Sequence, residues 1–442
     1  MQWERKTEGS YRARTMLRVV GAGVYLAGAL APVLAAWLLW GSAAKAADLG
    51  GDCCADLEAR VAELDATTVR RGGKVSVTLS GYVAKQVMFW DDGIEDNTYI
   101  ADIGPTQATH FKLGGQATIA PGWTAGFLFR IQDLRDSTMG LSQTNDNDDL
   151  GLNVQMSNGF VASADYGKLT LGKQALASKS VAMFTDLSGT QLIANYVLFD
   201  GPGFFLRQDG TLLRLRWGDI GYCYSQARPW GGDCDGIVMN GVRYDSPNLA
   251  GFSWSASFGQ DDDYEAALRY NREFGGLKIA LGAGYSVNTD EIIQAQVSRG
   301  KDSGFFQAGF YVEHLATGLF LHGDYGEEDN HHTLIFSGVA EPDSHQWYVK
   351  AGIRRTWTEL GATILYGECT EYLDQIGPAA LNAGVTASEF TRWGLGMAQE
   401  IDKAAMTLWL KYRQHDGELT GGPFDGGLDA FSYISTGGII YF

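Results

Sequence analysis

The residues best suited to act on solutes form two sets of opposite charge. The acidic set lies in one long connector, 175–236, and comprises Asp186, Asp200 and Asp209. The basic set lies in segments where polar and apolar residues alternate, always at a polar position: Lys112, Arg130, Arg243, Arg269, Arg354 and Arg392. If the two sets faced each other across water, they would orient dipolar solutes and disfavour apolar ones. The connector alone does not set the sign of the field, because its acidic and basic residues nearly balance.

Catalytic and metal-binding patterns give a weaker signal. The serines and histidines form no nucleophile elbow, so we expect no catalytic residue and no cofactor. His331, His332 and His345 share a loop with the acidic run 327–329, a combination that could bind a metal ion. A solvated loop is the simpler interpretation, and we predict no metal site.

The five cysteines suggest at most one internal bridge. Cys223 and Cys234 flank a short stretch of the long connector, where a disulfide would close a small ring. Cys53 and Cys54 are adjacent, which disfavours a bridge between them but leaves links between subunits open. Cys369 is then left over, either as a buried strand thiol or as a free one.

The N-terminus is typical of an exported protein. Three arginines, Arg12, Arg14 and Arg18, precede an uncharged apolar stretch, and a small-x-small pattern at 44–46 predicts a signal peptide over 1–46. An uncleaved helical anchor is the alternative. Removing 1–46 takes away six basic and two acidic residues, so the net charge changes from −18 to −22. This balance argues against nucleic acid as a partner and hints at a weak cation preference.

A single heptad-like helix is expected between the signal peptide and the rest of the chain. In residues 53–69, Leu57, Val61, Leu64 and Thr68 follow 4-3-4 spacing. The helix is too short to be stable alone, so the segment 47–73 either bundles with other copies or lies against its own domain.

From residue 74 to the end, the period of the apolar residues is two, which is typical of strands. We predict sixteen strands, near 75–90, 107–119, 123–135, 151–165, 167–174, 237–246, 251–260, 264–274, 277–288, 304–315, 318–327, 346–357, 360–370, 390–401, 404–414 and 430–442. Short turns follow the even strands and longer polar stretches follow most odd ones. This segregation favours a transmembrane antiparallel β-barrel over a soluble sandwich. The terminal Phe442 then lies at a membrane interface.

Several stretches resemble the Gram-negative outer-membrane general-diffusion porins, in the branch with a short N-terminal heptad helix. They are "VRYDSPNLAGFSWSASFGQDDDYEAALRYNREFGGLKIALGAGYS", "YGKLTLGKQ", "ADLEARVAELDATT", "KVSVTLSGYV" and "VMFWDDG", together with the terminal Phe442. The resemblance implies a homotrimer in outer-membrane lipid and lipopolysaccharide, with one water-filled pore per subunit for passive diffusion of small hydrophilic solutes and ions. It also implies that 175–236 folds into the barrel and forms the constriction with the charged residues named above. Phe442 would be the signal for the barrel-assembly machinery.

Three other functions remain open for such a chain. A solute-selective channel, for an oligosaccharide for example, should be blocked by micromolar substrate. An adhesin or receptor should show almost no conductance. A barrel enzyme, such as an outer-membrane lipase, should hydrolyse a lipid ester.

Overall fold

The computed structural model describes residues 69–71, 75–104, 107–147, 149–222, 238–260, 262–289, 303–330, 334–335 and 337–442. The predicted signal peptide, residues 53–68 of the predicted helix, and the cysteine pair Cys223 and Cys234 lie outside these residues, as do His331 and His332. Val69–Arg71, at the end of the predicted helix and linker, forms a short strand. Within the described ranges, no helix has the length and apolar character needed to cross a membrane.

Sixteen long strands follow, each beginning or ending within a few residues of its predicted position. They are β1 Val75–Asp91, β2 His110–Ala120, β3 Trp123–Arg135, β4 Asp149–Ser163, β5 Gly167–Ala175, β6 Val238–Asp245, β7 Phe252–Gly259, β8 Asp263–Phe274, β9 Leu277–Asn288, β10 Ser303–His314, β11 Leu319–Asp329, β12 Ser344–Thr358, β13 Gly361–Leu373, β14 Ala387–Ile401, β15 Met406–Thr420 and β16 Phe431–Tyr441.

These strands form one closed antiparallel barrel. Each strand pairs with the next along the chain, and β16 pairs with β1 from Tyr82↔Tyr441 to Asp91↔Ser432. Below this register, the strand Val69–Arg71 covers the free edge of β1. Phe442 completes the seam, since its N–H donates to the Gly81 carbonyl at 3.0 Å and its carbonyl accepts from the Gly81 N–H at 2.8 Å. Each of the sixteen described strands therefore has a paired neighbour on both sides, as a lipid environment requires. The predicted sixteen-stranded barrel is therefore confirmed.

Smaller elements lie in the connections between the long strands. A hairpin strand, Asp96–Ala101, replaces β2 as the partner of β1 above Gln86. The other short strands are Phe205–Gln208, Thr211–Arg216 and Gly426–Gly427. The helix Pro378–Asn382 and the 3-10 turns Met183–Thr185, Trp217–Asp219, Asp402–Ala404 and Gly422–Phe424 complete the described elements.

The outer face of the wall is apolar, as two-residue alternation predicts. Exposed side chains recur along it, including Val83 and Phe89 on β1 and Ile434 and Ile440 on β16. Apolar side chains facing outward match the hydrocarbon of a bilayer.

The inner face differs from the expected polar lining. A cluster of buried apolar residues points inward from β9 to β11, β13 to β16 and β1, and includes Tyr311, Phe320, Ile364, Trp409 and Ile439. Alternation alone predicts polar residues at such positions, but here the long connector after β5 occupies the lumen beside them. Side chains covered in this way lose contact with water, so apolar residues are stable on the inner face.

Candidate functional site

The connector after β5 lies inside the barrel and follows the inner wall from strand to strand. The Ser178 N–H donates to Glu265 of β8 at 2.6 Å, and the Ala182 N–H donates to Gln307 of β10 at 3.1 Å. The Thr185 hydroxyl then lies 3.2 Å from the His322 ring nitrogen on β11. Successive contacts of this kind fix the path of residues 176–204 around the wall.

Glycines in the wall make room for this path. An added Cβ would lie 2.6 Å from the Val181 carbonyl at Gly282 of β9, and 2.5 Å from the Ala182 carbonyl at Gly309 of β10. Real Cβ atoms essentially never approach this closely. The connector backbone therefore packs directly against the backbone of the barrel at these two strands.

Asp186 forms a fully buried ion pair with the wall. Its carboxylate accepts a hydrogen bond from Lys350 of β12 at 2.5 Å, and neither side chain is exposed. The same ammonium donates to the Thr190 hydroxyl and to the Ala194 carbonyl. Burial raises the pKa of Asp186, but the charge of Lys350 together with the hydrogen bonds from Lys350 and Ser188 and the nearby His322 lowers it more, so the pKa is lower than usual. The pair fixes both arms of the turn 186–194.

Asp200 forms a second ion pair farther along the connector. Lys411 of β15 donates to it at 2.5 Å, Arg413 lies 3.5 Å away, and the Gln86 amide donates at 3.1 Å. Burial alone would raise the pKa of Asp200. The nearby Lys411 and Arg413, with the hydrogen bonds to the carboxylate, lower it by more, so the pKa is about 2. Arg413 also binds Glu368 of β13 at 2.6 Å, so the cations and carboxylates form one connected network.

Arg392 and Arg354 bind the connector through its backbone. Arg392 of β14 is buried and donates to the carbonyls of Asn195, at 2.6 Å, and Tyr196, at 3.2 Å. Arg354 of β12 donates to the Ser188 carbonyl at 3.2 Å and makes a bidentate pair with Glu400 at 2.7 and 2.8 Å. Both guanidinium groups therefore position the connector.

Arg243 and Arg269 hold the start of the connector. Arg243 of β6 donates to the Ala175 and Leu176 carbonyls at 3.2 and 3.3 Å and pairs with Asp245 at 2.6 Å. Arg269 of β8 donates to the Ala177 carbonyl at 2.7 Å.

Lys112 and Arg130 lie on the inner face of β2 and β3, where they are directly opposite each other in the strand register. Lys112 is partly exposed, and Arg130 is 9% exposed. An Arg130 nitrogen lies 3.1 Å from the Nδ1 atom of His110 on the same face. This part of the wall is cationic.

Asp209 lies apart from the other predicted residues. It is exposed in the turn between the strands Phe205–Gln208 and Thr211–Arg216, with a positive φ of 51°. This hairpin is anchored by Arg207, whose Nε atom donates to Asp92 at 2.7 Å. Burial raises the pKa of Asp92, but its hydrogen bonds, including that from Arg207, leave it lower than usual.

The structure thus joins the predicted residues into an anchoring set and a separate wall pair. Asp186, Asp200 and the arginines of β6, β8, β12 and β14 contact the connector or its partners, whereas Lys112 and Arg130 lie on β2 and β3. Sequence reasoning missed three anchoring cations: Lys350, Lys411 and Arg413. Alternation contained the signal, because Lys350 has the same parity as the predicted inward residue Arg354.

Comparison with known proteins agrees with this architecture. Residues 29–418 match the family described as Gram-negative porin. No curated protein sequence matches the chain. Among solved structures, OmpT of Vibrio cholerae, an outer membrane protein folded in vitro, is 15% identical with a TM-score of 0.51, covering 85% of this chain and 100% of OmpT.

Two further solved structures are similar at the level of the fold. OmpF of Salmonella typhi in complex with daunomycin is 13% identical with a TM-score of 0.50, covering 85% of this chain and 100% of OmpF. The outer membrane channel DcaP of Acinetobacter baumannii is 11% identical with a TM-score of 0.50, covering 85% of this chain and 99% of DcaP.

Proposed function

Since the chain belongs to the Gram-negative porin family, whose barrels let small hydrophilic solutes diffuse passively across the outer membrane, we propose that residues 176–204 constrict its channel. The observation that carries this proposal is the pair of buried salt bridges, Asp186–Lys350 and Asp200–Lys411, that hold this segment inside the barrel. A segment anchored so firmly narrows the lumen permanently.

In this proposal the predicted constriction residues have two different roles. Asp186, Asp200, Arg354 and Arg392 hold the segment in place, since their charges are used in contacts with the connector or the wall. Lys112 and Arg130 belong to the wall that solutes pass. Asp209 lies outside the constriction, at a turn of the connector.

Single-channel recording of the purified protein in planar bilayers tests the constriction. Replacing residues 183–193 with a short Gly/Ser linker should raise the conductance, because the segment no longer occupies the lumen. A matched replacement of the exposed turn Gln208–Gly210 should leave the conductance unchanged. Equal conductance in both variants would place the constriction elsewhere, and a wild-type protein without conductance would contradict the channel function itself.

We also propose that the protein acts without catalysis and without a cofactor. The family and the barrel fold support a channel, whose transport needs only a solute gradient. Purified protein should not hydrolyse a lipid ester, and measurable turnover would contradict this part of the proposal.

A homotrimer is the assembly we propose. Lys85 lies on the outer face of β1, in the apolar column that includes Val83 and Phe89, and opposite Gly438 of β16. Its ammonium is 3.6 Å from the carboxylates of Asp102 and Asp136. A lysine that faces lipid costs free energy, about 2–4 kcal/mol at the midplane and less toward the interfaces. Contact with a neighbouring subunit would remove this charged group from lipid.

Phe442 is proposed as the signal read by the barrel-assembly machinery. Phe442 as a whole is 44% exposed, and its backbone pairs with Gly81 at the seam of the barrel. A terminal aromatic that stays accessible while the last strand pairs with the first suits recognition during closure.

A further inference from the structure

The side of the connector that faces water inside the barrel is apolar. Within residues 176–204, Phe184, Leu187, Gly189 and Leu192 retain appreciable exposure, whereas every charged residue of this segment is buried. Asp186 and Asp200 face the wall in ion pairs, and Lys179 is 8% exposed. The edge of the segment that solutes meet therefore consists of one aromatic ring, two leucines and a glycine.

This exposed apolar edge is structurally fixed. Leu187 and Leu192 pack on the inward apolar cluster of the wall, and Phe184 packs on a second cluster that includes Tyr196 and Tyr348. Between them, the Lys350 ammonium binds Asp186, Thr190 and Ala194 at once. The edge therefore cannot turn its apolar side chains away from water without breaking a buried ion pair.

Strands β2 to β6 form another part of the lumen wall, and their described inward charges are mostly positive. They are the cations Lys112, Arg130, Lys168 and Arg243 and the carboxylate Asp245. Lys112 and Arg130 are direct cross-strand neighbours, so their like charges add locally. Lys168 is exposed and lies 4.5 Å above the ring of Phe160.

We propose that this channel favours amphipathic anions: small carboxylates or sulfonates with an aromatic or alkyl body. This inference rests on the proposed constriction by residues 176–204. The anionic group of the solute follows the wall pair Lys112 and Arg130, while its apolar body contacts Phe184, Leu187 and Leu192. Each part of such a solute meets a surface of matching chemistry at the narrow part of the lumen. A porin whose constriction segment exposed its carboxylates would lack this apolar contact.

Reversal potentials under bi-ionic conditions test the proposal with two monovalent anions, benzenesulfonate and gluconate. Both stay ionised at neutral pH, but only benzenesulfonate has an apolar body. We expect the permeability ratio of benzenesulfonate to gluconate to exceed the ratio of their mobilities in water by about threefold. A ratio equal to that of the mobilities would overturn the proposal.

Variants separate the apolar edge from the cationic wall. The double variant Leu187→Ser, Leu192→Ser should return the permeability ratio to the mobility ratio, whereas Leu212→Ser, at an exposed leucine of the same connector, should leave it unchanged. Lys112→Gln should lower the permeability of both anions relative to potassium without altering their ratio. An unchanged ratio in the double variant would also overturn the proposal.

The controls keep this result distinct from the constriction proposal. Conductance in potassium chloride shows that each variant forms a channel, and should the double variant not insert, Phe184→Ser tests the same edge. Unchanged conductance in the linker variant of residues 183–193 would contradict the constriction proposal. If that variant did conduct more than wild type, but the wild-type permeability ratio of the two anions equalled their mobility ratio, only the preference for amphipathic anions would be overturned.

Discussion

Asp200 illustrates how a charge predicted to act on solutes can act on the fold instead. It has four polar neighbours from three strands within 3.5 Å: Lys411, Arg413, Gln86 and Tyr433. Its side chain is 5% exposed. A carboxylate so enclosed contributes little field to the lumen, but it holds the connector on the wall. The same reasoning applies to Asp186 and Lys350, whose side chains are fully buried.

Removing the charge of Asp200 should release this part of the connector. In Asp200→Asn, Lys411 remains buried without its carboxylate, which costs about 3–5 kcal/mol. We expect a lysine-specific protease to cut after Lys179, which is buried when the segment is docked. The exposed residue Asp209 provides the control, since Asp209→Asn should leave Lys179 protected. Equal protection in both variants would show that the ion pair does not anchor the connector.

Acid should release the connector in a defined pH range. The pKa of Asp200 falls from its ordinary value of 3.8 to about 2, so its contribution to stability is complete above 3.8 and is lost as the pH falls through about 2. The lowered pKa of Asp186 acts in the same direction. The release that depends on Asp200 and Asp186 should leave channel conductance unaffected above a pH of about 4. Below that value the conductance should change, with a midpoint near the lowered pKa.

Asp219 of the same connector has a raised pKa, so its effect on stability depends on pH in the opposite direction to that of Asp200. Burial raises its pKa, so its neutral form is favoured in the folded protein and its contribution to stability is lost as the pH rises through the raised value. The loss of the Asp219 contribution begins above pH 3.8, so it can be separated from the release of the connector at lower pH. A conductance that stayed the same as the pH fell through about 2 would contradict the assignment to Asp200 and Asp186.

The connector packs closely on the wall strands, and glycines in the wall allow the short distance between the two backbones. Gly282 and Gly309 lie on adjacent strands at the point where the connector backbone crosses. Charged side chains of β12, β14 and β15 then bind the next part of the segment. Close backbone approach and buried ion pairs together give the connector a single path.

A methyl group at Gly309 should move the connector from the wall. In Gly309→Ala, the new Cβ would lie 2.5 Å from the Ala182 carbonyl and 2.6 Å from an Asp324 oxygen, so the segment must shift. Gly114→Ala, on the inner face of β2, is the matched control. The atom nearest to its new Cβ would be the Phe127 carbonyl oxygen, 4.0 Å away. We expect altered single-channel conductance and weaker protection of Lys179 in Gly309→Ala alone. If both variants behaved like wild type, the close packing at Gly309 would not control the constriction.

The whole molecule depends on pairing the two ends of the described barrel. β1 changes partner along its length: Val69–Arg71 and β2 cover its lower half, whereas β16 and the strand Asp96–Ala101 cover its upper half. Such a seam satisfies the backbone in lipid but places Lys85 on the outer face. Assembly with other copies would cover this group.

Replacing Lys85 should distinguish lipid from protein at the outer face of β1. If a subunit covers this face, Lys85→Leu removes the partner of Asp102 and Asp136, and the trimer should dissociate at a lower temperature in detergent. Val83→Leu, in the same column, is the control and should change the dissociation temperature little. A higher dissociation temperature in Lys85→Leu, or a wild-type protein that is monomeric in detergent and in membranes, would contradict the proposed interface.

Deleting Phe442 should reduce the amount of barrel assembled in the outer membrane. The terminal residue supplies two backbone hydrogen bonds to Gly81 and an exposed ring at the seam. Phe442→Tyr, which keeps an aromatic ring and the backbone pair, should assemble normally, whereas the deletion should leave more unfolded chain. Normal assembly of the deletion variant would contradict a signalling role.

The sequence by itself determined the barrel, the number and approximate bounds of its strands, and the side of each strand that faces outward. It could do so because alternation is a local property: neighbouring side chains of a strand point to opposite faces, whatever the rest of the chain does. Lys112 and Arg130 on β2 and β3, and Phe442 at the seam, follow from this periodicity.

Only the tertiary structure decided what the charged residues contact. The path of residues 176–204 depends on the glycines of β9 and β10 and on ion pairs between residues more than a hundred positions apart, such as Asp186 with Lys350. No local pattern encodes such a pairing. The tertiary structure also decided which side chains of residues 176–204 face water. The carboxylates of this segment pair with cations on the wall, so Phe184, Leu187 and Leu192 are the side chains that remain exposed.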